Sequence, residues 1–519
     1  MWQLLPSLAT CPGQFFEVDP YGRLEVTESI LERHTIASQP TDEFVRPGRD
    51  GRVYSWQFLG QSLLFVPPYL IARTAVDPLG LSEYWRGYAI RAVVSLSNPL
   101  LGAGIAAFVY GILGLLGCSR RSAAATGLLV CFGTVQWWYG ISLQDPTPVV
   151  FCLVLVVYAV LRAEMAPRPV GWLVAAGAAA GFAVLTRPDC LVALLPGLGF
   201  VAATALRRKA HPAAWAAWGA IGAAPWLALM LWHNWVRFGS PVDTGSPHVG
   251  KLFNTPFLYG LYGLLLSPGK SIFLHAPAVL VAPLGTHLVA WRCPRLLWVT
   301  LGGFAGYYLF YAGQAHHWQH LREWVVRFTT RGAVLLSLHL GFVLDRLFHE
   351  TASAAATVWQ QRGRQAARLA AVGLLTLSVL FQFLSVSAST KRAGILLTLA
   401  QAERGPQEVD PVHDFRHSAL HTQFQSYLQN LPRFGRTTCW QVPDERTGDT
   451  IRLIWRWRRV PGAFGGPVGM TKASDPLRAP SWTSLCAGSR GSARVRSRPT
   501  APVGRRTGRP LQTSGASAL

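Results

Sequence analysis

Long apolar runs separated by short polar connections repeat along most of this 519-residue chain. A run of about 20 apolar residues is what an α-helix needs to cross the ~30 Å hydrocarbon core of a bilayer. The pattern predicts ten such helices, at 92–117, 122–142, 146–162, 169–186, 189–206, 212–232, 272–291, 296–312, 331–348 and 369–388. Ahead of them, Leu24–Ile36 alternates as an amphipathic helix. Leu59–Val76 is apolar but holds Pro67, Pro68 and Arg73, which predicts an interfacial or re-entrant segment rather than a clean span.

The connections sort into two kinds. Ser119-Arg120-Arg121, Arg162–Arg168, Arg207-Arg208-Lys209, Arg292–Arg295 and the 349–368 loop are basic, and basic loops stay cytoplasmic. The alternate connections carry Asp145, the Arg187-Pro188-Asp189 turn, the 233–271 loop and the 313–330 loop, and are expected on the outer face. That alternation gathers Asp19, Asp145, Asp243, Lys270 and Glu323 on one side. It also puts the N-terminus outside, although Met1–Thr10 is too short to span, so a first helix is expected to be missing. The predicted organisation is an outer N-terminal loop with amphipathic helices (1–91), a transmembrane domain (92–390), a small outer region (391–460) and a disordered basic tail (461–519).

Composition supports the membrane reading: 50% of residues are hydrophobic, only 14% are charged, and Trp occurs 20 times. The net charge of +23 does not imply nucleic acid, because the arginines lie in short loops and in the last fifty residues. The partner expected from the chain's surface is membrane lipid. Among eight cysteines there is no CxxC pair; Cys118, Cys131, Cys152 and Cys190 sit in or beside apolar runs as packing residues, while Cys439 and Cys486 lie in the polar tail.

Charged residues at the edge of a polytopic protein mark where something polar is handled. Asp19, in Val18-Asp19-Pro20-Tyr21, reads as a turn or helix-capping aspartate or as a functional one. Asp145, in Gln144-Asp145-Pro146, is equally a cap and a functional acid. Gly263 to Ser271 imitates a phosphate-binding loop, but Leu264 stands where its first glycine belongs. Lys270 and Ser271 nonetheless precede a helix start, an arrangement that suits an anion or a snorkelling lysine. His316, His317 and His320 beside Trp318 have the spacing of a metal pair but lack a completing ligand other than Glu323; no cofactor is assigned and a divalent metal is left open. Trp137, Trp138 and Tyr139 read as an interfacial aromatic belt.

Taken together, these segments resemble the polytopic GT-C glycosyltransferases that draw sugars from polyprenyl-phosphate carriers, in particular the bacterial protein-mannosyltransferase and aminoarabinose-transferase branch. The resemblance runs from about residue 15 to 345. It is carried by Asp19 with Thr27, Gly51-Arg52-Val53-Tyr54-Ser55, Gly60-Gln61-Ser62-Leu63-Leu64, Asp145-Pro146, Leu185-Thr186-Arg187-Pro188, Asn234 with Arg237-Phe238-Gly239-Ser240-Pro241, and Ser267-Pro268-Gly269-Lys270. The family's glycine-rich segment before its Arg-Phe is replaced here by Trp318–Val326, followed by Arg327-Phe328.

The resemblance implies an all-α GT-C-like bundle in a bacterial inner membrane, an inverting transfer at the extracytoplasmic face, and a polyprenyl-phosphate sugar as donor. It implies Asp19 and Asp145 as the catalytic residues, Asp19 as the base and Asp145 positioning the acceptor or a cation. Lys270, Arg187 and Arg327 are expected around the phosphate, and Tyr21, Tyr54, Asn234, Trp318 and Trp324 around the donor and acceptor. The alternatives are a degraded relative of that fold and a transporter or lipid flippase; a transporter predicts charges buried in mid-span and often an internal repeat.

Overall fold

The structure is a computed structural model that describes residues 15, 18–39, 44–246, 253, 255–314, 327–349, 358–387, 414–430, 438–443 and 450–455. Helix α1 (Val18–Glu32) is followed by a short antiparallel hairpin, β1 (Val45–Pro47) and β2 (Val53–Ser55), in which Arg46 faces Tyr54. Then come α2 (Leu59–Val76), α3 (Glu83–Val94), α4 (Ser97–Leu115), α5 (Arg120–Phe132), α6 (Gln136–Ile141), α7 (Pro146–Met165), α8 (Val170–Thr186), α9 (Leu191–Arg207) and α10 (Pro212–Phe238). The bundle continues through α11 (Phe257–Leu265), α12 (Ile272–His275), α13 (Pro277–Val281), α14 (Thr286–Arg292), α15 (Leu296–Ala312), α16 (Thr330–Ser337), α17 (Leu340–His349) and α18 (Val358–Ser387), with α19 (Ala419–Asn430) after it. A separate unit beginning at Gly435 contains the antiparallel hairpin β3 (Thr438–Pro443) and β4 (Thr450–Trp455). The expected tail from 461 lies outside the described residues.

The all-α polytopic expectation stands. Five helices among the described residues are long and apolar enough to cross a membrane by length and composition, and α8 and α15 are shorter apolar helices. Three expected spans are broken. The 122–142 run stops at Gly133 and restarts as α6; the 272–291 run breaks at Pro277 and Pro283; the 331–348 run breaks at Leu338 and His339. A proline has no N–H for the helical ladder, and apolar surroundings require every freed group to find another partner. Helix α18 supplies several. Gln382 Nε2 donates to the His275 carbonyl at 2.6 Å, and Ser378 Oγ donates to the Gly133 carbonyl at 2.5 Å while accepting from the Ala278 N–H at 2.9 Å. His339 is buried at the third break, between the hydroxyls of Thr286 (3.1 Å) and Thr300 (2.8 Å).

The expected re-entrant segment is one continuous helix, α2, with both prolines inside it. Its buried side, including Phe65, Tyr69 and Ala72, packs with Phe15 and Leu24 from the α1 region and with Ile90 and Val94 of α3. Helix α1 itself starts six residues before the expected Leu24. Its buried side is polar as well as apolar, carrying Arg23, Thr27 and Ser29 beside Leu24 and Val26. Helices α8 and α10 approach backbone to backbone. A Cβ on Gly177 would fall 1.8 Å from the Gly219 carbonyl oxygen and one on Gly222 2.0 Å from that of Val174, the small-residue contact by which apolar helices pack without a hydrophobic driving force.

The basic connections meet one another at one end of the bundle. Asp345 accepts from the Ser119 N–H (2.8 Å) and pairs with Arg292 (3.2 Å). Glu164 pairs with Arg295 (2.6 Å) and Arg207 (3.4 Å), and Arg208 donates to the carbonyls of Ala163 and Glu164. Four loops expected on one membrane face thus share direct contacts.

Candidate functional site

A polar cluster is assembled from the other set of connections. Three carboxylates, Asp19, Asp145 and Asp189, meet four guanidinium groups, Arg23, Arg187, Arg327 and Arg331. Asp145 is the hub: Arg187 Nη1 lies 2.9 Å and Arg23 Nη2 3.0 Å from Oδ2, and Arg331 Nη2 lies 3.2 Å from Oδ1. Arg331 reaches on to Asp189 at 2.6 Å, where Arg187 Nε (3.3 Å) and the Tyr311 hydroxyl also donate. Asp19 accepts from Arg327 at 2.5 Å and lies 3.8 Å from Arg23. The Phe328 ring stacks on Tyr311 (4.9 Å between centroids), with the Arg187 guanidinium 4.2 Å from it.

Each carboxylate is placed by its own segment. Asp145 stands at the start of α7, yet its side chain does not cap the helix; it turns into the arginines instead. The 142–145 connection is held by Gln61, which donates to the Leu143 carbonyl at 2.6 Å, and by Asn98, which donates to that of Gln144 at 2.9 Å. Between those ties Leu143 adopts φ 55°, a left-handed conformation that costs a leucine energy and that the surrounding contacts must enforce. Asp19 lies in the first turn of α1, which Thr27 fastens to α2 through the Ser62 carbonyl (2.9 Å). Gly60, one residue into α2, lets that helix meet the end of α8 next to Arg187. A Cβ there would fall 2.2 Å from Thr186 Oγ1 and 2.6 Å from its Cα and N. Gly60→Ala should therefore destabilise the protein by about 1–3 kcal/mol through overpacking against backbone, more than the ~1 kcal/mol of helix propensity it gains. A thermal midpoint equal to or above that of the parent would contradict this account of the contact.

Burial ranks the acids. The Asp145 side chain is 1% exposed, whereas Asp19 is 16% and its partner Arg327 20% exposed. Burial alone pushes the Asp145 carboxyl up, but Arg187, Arg23 and Arg331 outweigh it and hold the group well below the ordinary carboxylate range. Burial likewise opposes ionisation of Asp19, and Arg327 and Arg23 bring it below its usual value. Four arginines against three carboxylates leave one positive charge in excess. Among the described residues Arg23 Nη1 and Arg331 Nε are buried without a protein acceptor. A buried cationic cluster with donors to spare is suited to an anion. On the opposite face of α1, Glu28 is pushed up to about 7 by burial and by Glu32 and Glu25. It lies nine residues, half a helical revolution, from Asp19.

The structure therefore brings together Asp19, Asp145, Arg187 and Arg327 from the sequence-derived set. Tyr21 flanks Asp19 on α1, 43% exposed, its hydroxyl donating to the Phe15 carbonyl. Tyr54 and Asn234 belong to a second polar cluster. Tyr54 donates to Asp50 (2.7 Å), while Asn234 accepts from Arg237 (2.8 Å) and donates to the Pro241 carbonyl (3.0 Å). Arg237 in turn donates to the Ser55 carbonyl, so this cluster pins the β1–β2 hairpin to the end of α10. Lys270 is 2% exposed, its N–H bonded to Ser267 Oγ. The helix after it, α12, has only four residues and Ser271 caps it, so its dipole adds little to the lysine's charge. Trp318, Trp324, Glu323 and the histidines at 316, 317 and 320 lie outside the described residues.

Arg23, Asp189, Tyr311 and Arg331 were not singled out in the sequence. Signals for three of them were present: Arg23 is four residues after Asp19 on the same helical face, Asp189 follows the Arg187-Pro188 turn, and Arg331 heads an apolar run where a charge is costly. Tyr311 had none, being one of many aromatics in α15.

No family model matches the chain, and no curated protein matches it. Among solved structures it is similar to the crystal structure of ArnT from Cupriavidus metallidurans bound to undecaprenyl phosphate, with 16% identity and a TM-score of 0.44 over 82% of this chain and 74% of that one.

Proposed function

We propose that this chain is a membrane glycosyltransferase of the GT-C type, moving a sugar from a polyprenyl-phosphate carrier to an acceptor hydroxyl at the extracytoplasmic face of a bacterial inner membrane. The observation that carries the proposal is the arginine-rich cluster, one positive charge in excess, with Asp19 as its more exposed carboxylate next to Asp145. In this reading Arg327 and Arg187 take the donor phosphate, which competes with Asp19 for Arg327. Asp19, released from that pair, accepts the proton of the acceptor hydroxyl. The acceptor oxygen attacks the anomeric carbon, the bond from that carbon to the phosphate oxygen breaks, and the lipid phosphate leaves with inversion. Such a leaving group needs no strong general acid, and charge stabilisation by fixed donors supplies much of the acceleration. Asp145, shut away among three arginines, acts as a positioning residue that holds them apart and aimed. Gathering of charge at one edge, rather than in mid-span, favours this reading over a transporter.

Binding separates the charge-based reading from simple lipid affinity. The purified protein should retain a long-chain polyprenyl phosphate and discriminate against the uncharged polyprenol. Arg327→Gln should weaken phosphate binding about ten-fold or more, the worth of a hydrogen bond to a charged group. Equal retention of the phosphate and the alcohol by the parent would remove the basis of the proposal.

A further inference from the structure

Away from that cluster, α5, α17 and α18 leave a groove of about 430 Å³ between them. Leu128 and Leu129 of α5, Leu347 of α17, and Val372 and Val379 of α18 line it, with Arg368 at one end. Arg368 is half-buried, whereas Gln365, Ala366, Ala367 and Leu369 around it are exposed, so the arginine is laid into the groove rather than into solvent. Beyond Arg368 the helix carries no further charge and is mostly apolar, and the lining runs eleven residues to Val379. At 1.5 Å per residue that is ~16 Å, about half of the ~30 Å hydrocarbon core and so the depth of one leaflet.

The Arg368 end is the basic end of the bundle. Helix α5 begins there at Arg120, directly after Ser119, whose N–H is held by Asp345 of α17 one residue beyond Leu344 of the groove. The groove's charge and its length point to a single kind of occupant. We propose that it is a binding site for an anionic phospholipid of the leaflet on the basic face, the phosphate held at Arg368 and one acyl chain lying along α18 between Leu128 and Val379. The site is remote in sequence and chemistry from the Asp19 cluster, and it stands whether or not the sugar-transfer reading does.

The test uses the full chain, delipidated in detergent and analysed by native mass spectrometry with added phosphatidylglycerol or phosphatidylcholine. The parent should retain phosphatidylglycerol in preference to phosphatidylcholine. Arg368→Gln should lower phosphatidylglycerol retention about five-fold, the worth of one basic residue at a lipid surface, and leave phosphatidylcholine unchanged. Arg368→Lys should restore most of the preference. Val372→Trp, which fills the groove, should reduce retention of both lipids. Equal retention of the two lipids by the parent, undiminished phosphatidylglycerol on Arg368→Gln, or no retained lipid at all overturns the proposal.

Discussion

Replacing Asp145 by asparagine should destabilise the protein by about 3–5 kcal/mol, the usual cost of removing one partner from a buried ion-pair system. The substitution keeps shape and hydrogen-bonding capacity but raises the cluster's excess from one positive charge to two. Arg23, Arg187 and Arg331 then lose the carboxylate they share, in a place water hardly reaches, and only Asp189, beside Arg187 and Arg331, and Asp19, 3.8 Å from Arg23, remain to oppose their charge. The expected result is a strongly lowered thermal midpoint in detergent and reduced yield of folded protein. The pH dependence has a fixed sign. The native Asp145 carboxyl has a lower proton affinity than the unfolded one, whose pKa is ~3.9. Its stabilisation is therefore complete above about pH 4 and is lost as pH falls toward the depressed native value. Between pH 5 and 7 the gap between parent and Asp145→Asn should stay constant. A variant as stable as the parent, or a gap that closes in that window, would show that the three arginines do not depend on this carboxylate.

Asp19→Asn should have the opposite profile. Its pair with Arg327 is partly exposed, and Arg23 keeps Asp145 after the change, so folding should suffer far less than with Asp145→Asn. Transfer should fall by about 10² to 10⁴, the range supplied by a general base. The measurement is sugar transfer from a polyprenyl-phosphate donor in membranes of a complementing host, normalised to the amount of folded protein. Parental transfer by Asp19→Asn would exclude it as the base. The two neighbouring carboxylates thus separate an effect on rate from an effect on stability, and a pair of variants failing in the same way would not fit the assignment of roles.

The long apolar helices were legible because apolar length is a one-dimensional property, although only five of them are long and apolar enough to cross a membrane among the described residues. The basic loops were legible too, and the structure joins Ser119, Arg292 and Asp345, and Glu164, Arg207 and Arg295, at one end as their charge pattern implied. The helix breaks were less so. Pro277 and Pro283 were visible, but whether a proline kinks or stops a helix depends on which neighbour accepts the freed groups, and Ser378 and Gln382 come from a hundred residues away. Lys270 and Ser271 promised a helix N-terminus, while the length of that helix, a single turn, was decided by Pro277 and packing.

Sequence by itself determined that this is a multi-pass helical chain with its charged residues gathered in the connections rather than along the apolar helices, since hydrophobic length and loop charge act residue by residue. Only the tertiary structure decided that Asp145 is a buried hub and Asp19 its more accessible neighbour. Both were aspartates beside a proline, and what distinguishes them is how many arginines from distant segments converge on each. Desolvation and Coulombic attraction depend on distances in space, and residues 23, 187 and 331 reach Asp145 only once the helices have packed.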